Sequence, residues 1–158
     1  MKEVLFVGFK GKNNTSQQLV SLLPTTHKKM LTNSFSGLYK DIERIQTEKY
    51  AGVVLFGIDK VLRDCVRIEQ TAAYNGEWKH SIYPIADLAE DLAMANIKYE
   101  VSSIPTKYLC NAAYFYTLNK CSNSVFIHIP SLRGMTPVLM QQLQDFFSCP
   151  CFCPYGNS

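Results

Sequence analysis

Short apolar runs closed by glycine alternate along the chain with longer stretches whose apolar residues recur every three or four positions. "EVLFVG" (Glu3–Gly8) is a continuous apolar run of the kind shown by a strand buried on both faces. Thr15–Leu23 follows as a helix, with Thr15 or Ser16 as candidate cap and Pro24 as its stop. Lys28–Asn33 reads as a second strand. In Ser36–Tyr50, Leu38, Ile42 and Ile45 fall on one helical face. Ala51–Gly57 carries the strongest strand signal, and Cys65–Tyr74 is β-leaning but ambiguous. Ile85–Asn96 is an amphipathic helix with Leu88, Leu92 and Ala95 inward and Asn96 as its C-terminal stop. Ile97–Ser103 reads as a strand. Lys107–Lys120 is a helix apolar nearly all round, hence buried. Ser124–Pro130 is a strand, and Thr136–Phe147 a helix with Thr136 as N-cap and Pro137 at its first position.

This βα alternation predicts an α/β fold: a three-layer α/β/α sandwich around a mostly parallel, mixed sheet. A length of 158 residues suits a single domain over 1–158. Residues 148–158, "SCPCFCPYGNS", read as an irregular tail.

Composition narrows the function classes. With 47% hydrophobic and 18% charged residues, the chain is of ordinary globular type and not disordered. A net charge of +3 without a dense Lys/Arg run argues against a nucleic-acid partner. The Tyr and Phe residues are interleaved with apolar residues, which favours packing over base stacking. No apolar run approaches a membrane span. The charge-flanked N-terminal run reads as a strand and not as a signal peptide. The six cysteines are therefore expected as thiols in a reducing cytoplasm. Cys149, Cys151 and Cys153 could ligate a soft metal. With no second cysteine pair or nearby histidine they read as incidental thiols, and no metal or other cofactor is expected.

Cys110 sits where a strand leads through a Pro-containing turn into a helix, the place where α/β folds build sites. Unpaired N–H groups and the positive helix end favour a thiolate in that first turn. Of three histidines, His27 lies in a polar basic loop and His80 in an irregular region. His128 lies near the C-terminal end of the strand that directly follows the Cys110 helix. In a parallel sheet that end shares an edge with the N-terminus of the preceding helix. Cys110 and His128 can then approach as a thiol–imidazole pair, the alternative being a satisfied core histidine. Glu69, inside an apolar-flanked β-leaning run, is the candidate third group; otherwise it is a rim charge on an edge strand.

These stretches together resemble the pyroglutamyl peptidase I family (pyrrolidone-carboxylate peptidases, cysteine peptidases of the C15 type). "SSIPTKYLCN" keeps Ser102, Tyr108, Leu109, Cys110 and Asn111 of the pattern S-x-D-A-G-x-Y-L-C-N, with Ile104-Pro105-Thr106 in place of D-A-G. Tyr114 and Leu118 follow, then "VFIHIP" with His128 in the histidine place. "GIDKVLRDCVRIEQTAAYN" matches the glutamate motif at Gly57, Val66, Glu69 and Ala72, but not at Arg67, Gln70 and Tyr74. "VLFVGF" is similar to the family's opening, with Lys10-Gly11-Lys12 where P-F-G would stand. The matches run in order along most of the chain, which reads as a shortened and divergent member.

The resemblance implies a Cys110–His128–Glu69 triad that removes an N-terminal pyroglutamyl residue from peptides by acyl transfer. Cys110 would be the nucleophile, His128 the base and then acid, and Glu69 the residue that orients the imidazole. It also implies Phe9, Ile58 and Leu109 at the substrate, no metal, a peptide or small amide as partner, a cytoplasmic location, and a homo-oligomer. Only one of the two pocket phenylalanines is kept, Phe9. The arginine-bearing loop after the glutamate motif is reduced to "NGEWKHSIYP". The competing expectation is a catalytically altered protein of the same fold, a binding or scaffold module or an enzyme for a different amide.

Overall fold

Residue parity along the strands organises the molecule. In a strand successive side chains point to opposite faces, so one sheet can serve two different cores. The computed structural model describes residues 2–149. Strands β1 (Glu3–Phe9), β2 (Lys28–Leu31), β3 (Tyr50–Asp59), β4 (Val66–Glu69), β7 (Tyr99–Ser102) and β8 (Ser124–Pro130) form one sheet. Its order is β2-β1-β3-β8-β4-β7. Every neighbouring pair is parallel except β4 and β8. Helices α1 (Thr15–Leu22), α3 (Ile85–Met94) and α5 (Pro137–Ser148) cover one face, where Leu19, Leu88, Leu92, Leu139 and Leu143 pack on Val54, Phe56, Ile68 and Ile127. Helices α2 (Phe35–Glu43) and α4 (Tyr108–Lys120) cover the other, where Leu38, Ile42, Ala113 and Leu118 pack on Leu5, Val7, Leu55 and Phe126. This is the three-layer α/β/α sandwich with a mostly parallel sheet that the pattern predicts.

Some elements differ from the sequence expectation. The helix read over Ser36–Tyr50 stops at Glu43. The Lys120 ammonium donates to the carbonyls of Ile42, Glu43 and Ile45 at 2.7–2.9 Å, so a tertiary contact satisfies the open helix end. The chain then passes through a 3-10 turn at Thr47–Lys49, and Tyr50 joins β3. The N-cap of α1 is Asn14, one residue before Thr15; its side chain accepts from the Ser16 N–H at 2.9 Å.

The ambiguous Cys65–Tyr74 segment divides at Gln70. β4 joins the main sheet, while β5 (Thr71–Tyr74) pairs antiparallel with β6 (Glu77–His80). The region around His80, read as irregular, is thus a hairpin strand. Its turn has Asn75 and Gly76 at φ values of 50° and 77°, the left-handed pair that a tight hairpin requires. Asn96, with φ 61°, ends α3 as expected. Among the described residues no helix is long and apolar enough to cross a membrane. Of the tail cysteines only Cys149 is among the described residues; Cys151 and Cys153 lie outside them.

Candidate active site

The side chains of interest share one face of the sheet because they share one parity. On β3, Val53 and Leu55 face α4, and so do Gly57 and Asp59 two and four residues on. On β8 that face carries Phe126 and His128, and on β4 it carries Arg67 and Glu69. β3 pairs Gly57 with His128, and the antiparallel β4–β8 pairing sets Arg67 opposite His128 and Glu69 opposite Phe126. The one antiparallel pair of the sheet therefore brings the β4 carboxylate beside the β8 imidazole.

Glu69 and His128 are both buried, at 2% and 4% exposure. Glu69 Oε1 lies 2.8 Å from His128 Nδ1. A carboxylate there accepts from Nδ1–H, which fixes the tautomer and leaves Nε2 as the basic nitrogen. The Phe126 ring packs against the imidazole at 4.8 Å between centroids. Phe9, also on this face of β1, packs in turn on Phe126 at 6.5 Å.

Cys110 enters from above, in the first turn of α4. Its sulfur rests on Gly57: a Cβ at that position would lie 2.7 Å from Sγ and 2.6 Å from Phe126 Cζ. Only glycine lets the thiol settle over the residue paired with His128. None of the side-chain hydrogen bonds among the described residues joins this sulfur to the His128 ring.

The motif residues around Cys110 hold the helix start in place. Asn111 receives the Ala73 N–H at 3.0 Å and donates to the Ala73 carbonyl at 2.5 Å, docking the hairpin. The Tyr114 hydroxyl donates to the Glu69 carbonyl at 2.7 Å, tying α4 to β4. Tyr108, two residues before Cys110, has φ 72°. A bulky residue in that region is strained, and such strain collects at functional turns.

One sequence expectation is reversed. The helix start was expected to favour a thiolate at Cys110. Burial instead pushes the thiol up, the Asp59 and Glu69 carboxylates add to the rise, and a hydrogen bond from the Ile58 backbone only partly opposes it. The result is a shift from 9.0 to about 12. Desolvation of the charged form outweighs the partial charge of a helix end without side-chain cap.

Of the residues expected at the substrate, Phe9 and Leu109 pack with the core on the Cys110 side. Ile58 pairs with Ile129, whose side chain belongs to the opposite core, so Ile58 reaches the thiol through its backbone. Among the described residues no group of three or more His, Cys, Asp or Glu is arranged to hold a metal ion.

Arg67 was missed. Its Nε lies 2.6 Å from Glu69 Oε1, the oxygen already engaged by His128. Its outer nitrogens lie 2.5 Å from Asp59 Oδ2 and 3.6 Å from Glu100 Oε1. The spacing Arg67-x-Glu69 marks a shared strand face. Only the β4–β8 register reveals that His128 completes it.

The fold is that of the pyrrolidone carboxyl peptidases. The enzyme from Thermus thermophilus superposes with a TM-score of 0.76 over 92% of this chain and 97% of its own, at 20% identity. Those from Fervidobacterium islandicum and Thermococcus litoralis give 0.75 and 0.72 at 18% and 17% identity. The first alignment covers 92% of this chain and 94% of that enzyme, the second 94% and 93%. No family model matches the sequence, and no curated protein matches it.

Proposed function

We propose that the protein is a thiol-dependent amide hydrolase that removes an N-terminal pyroglutamyl residue from peptides. The observation that carries this reading is the 2.8 Å Glu69–His128 pair on the sheet face over which the Cys110 sulfur rests. The shared fold with pyrrolidone carboxyl peptidases supports the substrate class.

The buried thiol dictates how such a reaction runs. Burial and the nearby carboxylates keep the thiol protonated at pH 7. Cys110 therefore attacks as a neutral thiol whose proton passes to His128 Nε2 as the sulfur–carbon bond forms. Glu69 holds the imidazole and stabilises the imidazolium. The carbonyl oxygen of the substrate takes up negative charge, and N–H groups at the start of α4 are suited to receive it. Collapse breaks the carbon–nitrogen bond, and His128 returns the proton to the leaving amine. Water then adds to the thioester with His128 again as base, releasing pyroglutamate and the free thiol. No metal takes part in these steps. The reading needs Cys110 reduced, which suits a cytoplasmic location.

A fluorogenic pyroglutamyl amide tests the reading. The parent protein is expected to release the fluorophore with saturation kinetics, and Cys110→Ala to release none above buffer. Release at the buffer rate by the parent would overturn it.

A further inference from the structure

The Glu69–His128 pair is not isolated. Glu69 and Arg67 from β4 and Asp59 from β3 face the imidazole, while α4 brings the Cys110 sulfur over Gly57, the residue paired with His128, and the Tyr114 hydroxyl to the Glu69 carbonyl. Tyr114 spends its hydroxyl on the Glu69 carbonyl, and the Cys110 thiol is neutral at pH 7. Glu100 of β7 also reaches Arg67, at 3.6 Å, but its side chain is 55% exposed and screened by solvent. That leaves two less exposed carboxylates and one guanidinium to set the charge at the ring. Arg67 stands between the carboxylates, 2.6 Å from Glu69 and 2.5 Å from Asp59, with one nitrogen 3.5 Å from His128 Nδ1. Both donors of this pairing are held in the fork geometry of an arginine, with the side chain only 16% exposed.

We infer that Arg67 is a positioning residue that balances the two carboxylates, so that His128 faces one net negative charge and remains available as a base. Without Arg67 the ring would face two uncompensated carboxylates. These would hold a proton on it and block transfer from Cys110. Glu69 would also lose the cation that fixes its Oε1 between β4 and β8, while its Oε2 is already buried without a hydrogen-bond partner. The role rests on His128 acting as the base in the reaction above, but the charge balance itself is measurable without turnover.

The test follows the His128 ring by NMR across pH in the full chain, its signal identified by its loss in His128→Gln. In Arg67→Met the titration midpoint is expected to rise by about one unit or more relative to the parent. In Asp59→Asn it is expected to fall, because one carboxylate is removed and the cation stays. The double variant restores one net negative charge and is expected to return toward the parent. Arg67→Lys, which keeps the cation but not the fork, is expected to lie between the parent and Arg67→Met. A folded Arg67→Met with an unmoved or lowered midpoint would overturn the inference. If that variant does not fold, an unmoved or raised midpoint in Asp59→Asn does the same. Where the substrate is turned over, the acid limb of the kcat/KM profile is expected to move to higher pH in Arg67→Met. A midpoint moved in Arg67→Met, where the parent does not cleave pyroglutamyl amides, would sink the reaction and leave only the charge balance standing. Cleavage by the parent with an unmoved midpoint would do the reverse.

Discussion

Gly57 sets how closely Cys110 approaches the sheet. In Gly57→Ala the new Cβ meets Sγ and Phe126 Cζ inside 3 Å, and both neighbours are themselves packed. Overpacking of this kind costs about 1–3 kcal/mol, so the thermal midpoint is expected to fall by several degrees. An unchanged midpoint in a thermal scan would show that the thiol is not seated as described. The buried thiol also has a pH signature. Its folded value of about 12 lies above the ordinary 9.0, so the folded state keeps its proton where the unfolded chain loses it. That stabilisation is complete below pH 9 and is lost as pH rises toward 12. Stability measured by denaturant is thus expected to fall more steeply over this window in the parent than in Cys110→Ala, and equal slopes would contradict the shift. Cys110, His128 and Glu69 were legible in the sequence because each lies in a distinctive stretch at a strand or helix boundary. The shift at Cys110 was not legible. It depends on Asp59 and Glu69, which are 51 and 41 residues away in sequence, and on burial that no local pattern reports.

Among the elements, the β5–β6 hairpin is what the pattern reading lacked. Its signal was present as Asn75-Gly76, a strong hairpin turn pair, but the strands on either side are four residues each and carry little alternation. The overlong α2 failed for a different reason. Leu38, Ile42 and Ile45 keep helical spacing, whereas the stop comes from Lys120 on another helix. The hairpin matters because Asn111 grips it next to Cys110. Asn111→Ala removes both bonds to Ala73, each worth about 0.5–1.5 kcal/mol. Faster hydrogen exchange confined to residues 71–80 and the first turn of α4 is expected. Exchange unchanged there would show that the hairpin is held by other contacts.

For the whole molecule, the βα order was enough to predict two helical layers on a mostly parallel sheet, because each apolar strand needs cover on both faces. What order alone does not carry is the reversed direction of β4 against β8. That single antiparallel pair decides which strand residues face His128, and so it brings in Arg67 along with Glu69. The architecture thus accounts for a carboxylate, an imidazole and a thiol on one sheet face, with the thiol held neutral by burial.

The most direct test of this account uses a pyroglutamyl aldehyde labelled with ¹³C at the aldehyde carbon, added to the parent protein and to Cys110→Ser. If Cys110 is the nucleophile, its sulfur adds to the carbonyl carbon and the proton goes to the oxygen. The carbon signal then moves to the thiohemiacetal region with one equivalent bound in the parent, and stays with the free aldehyde and its hydrate in Cys110→Ser. A signal that remains free in the parent would contradict the assignment of Cys110 as nucleophile.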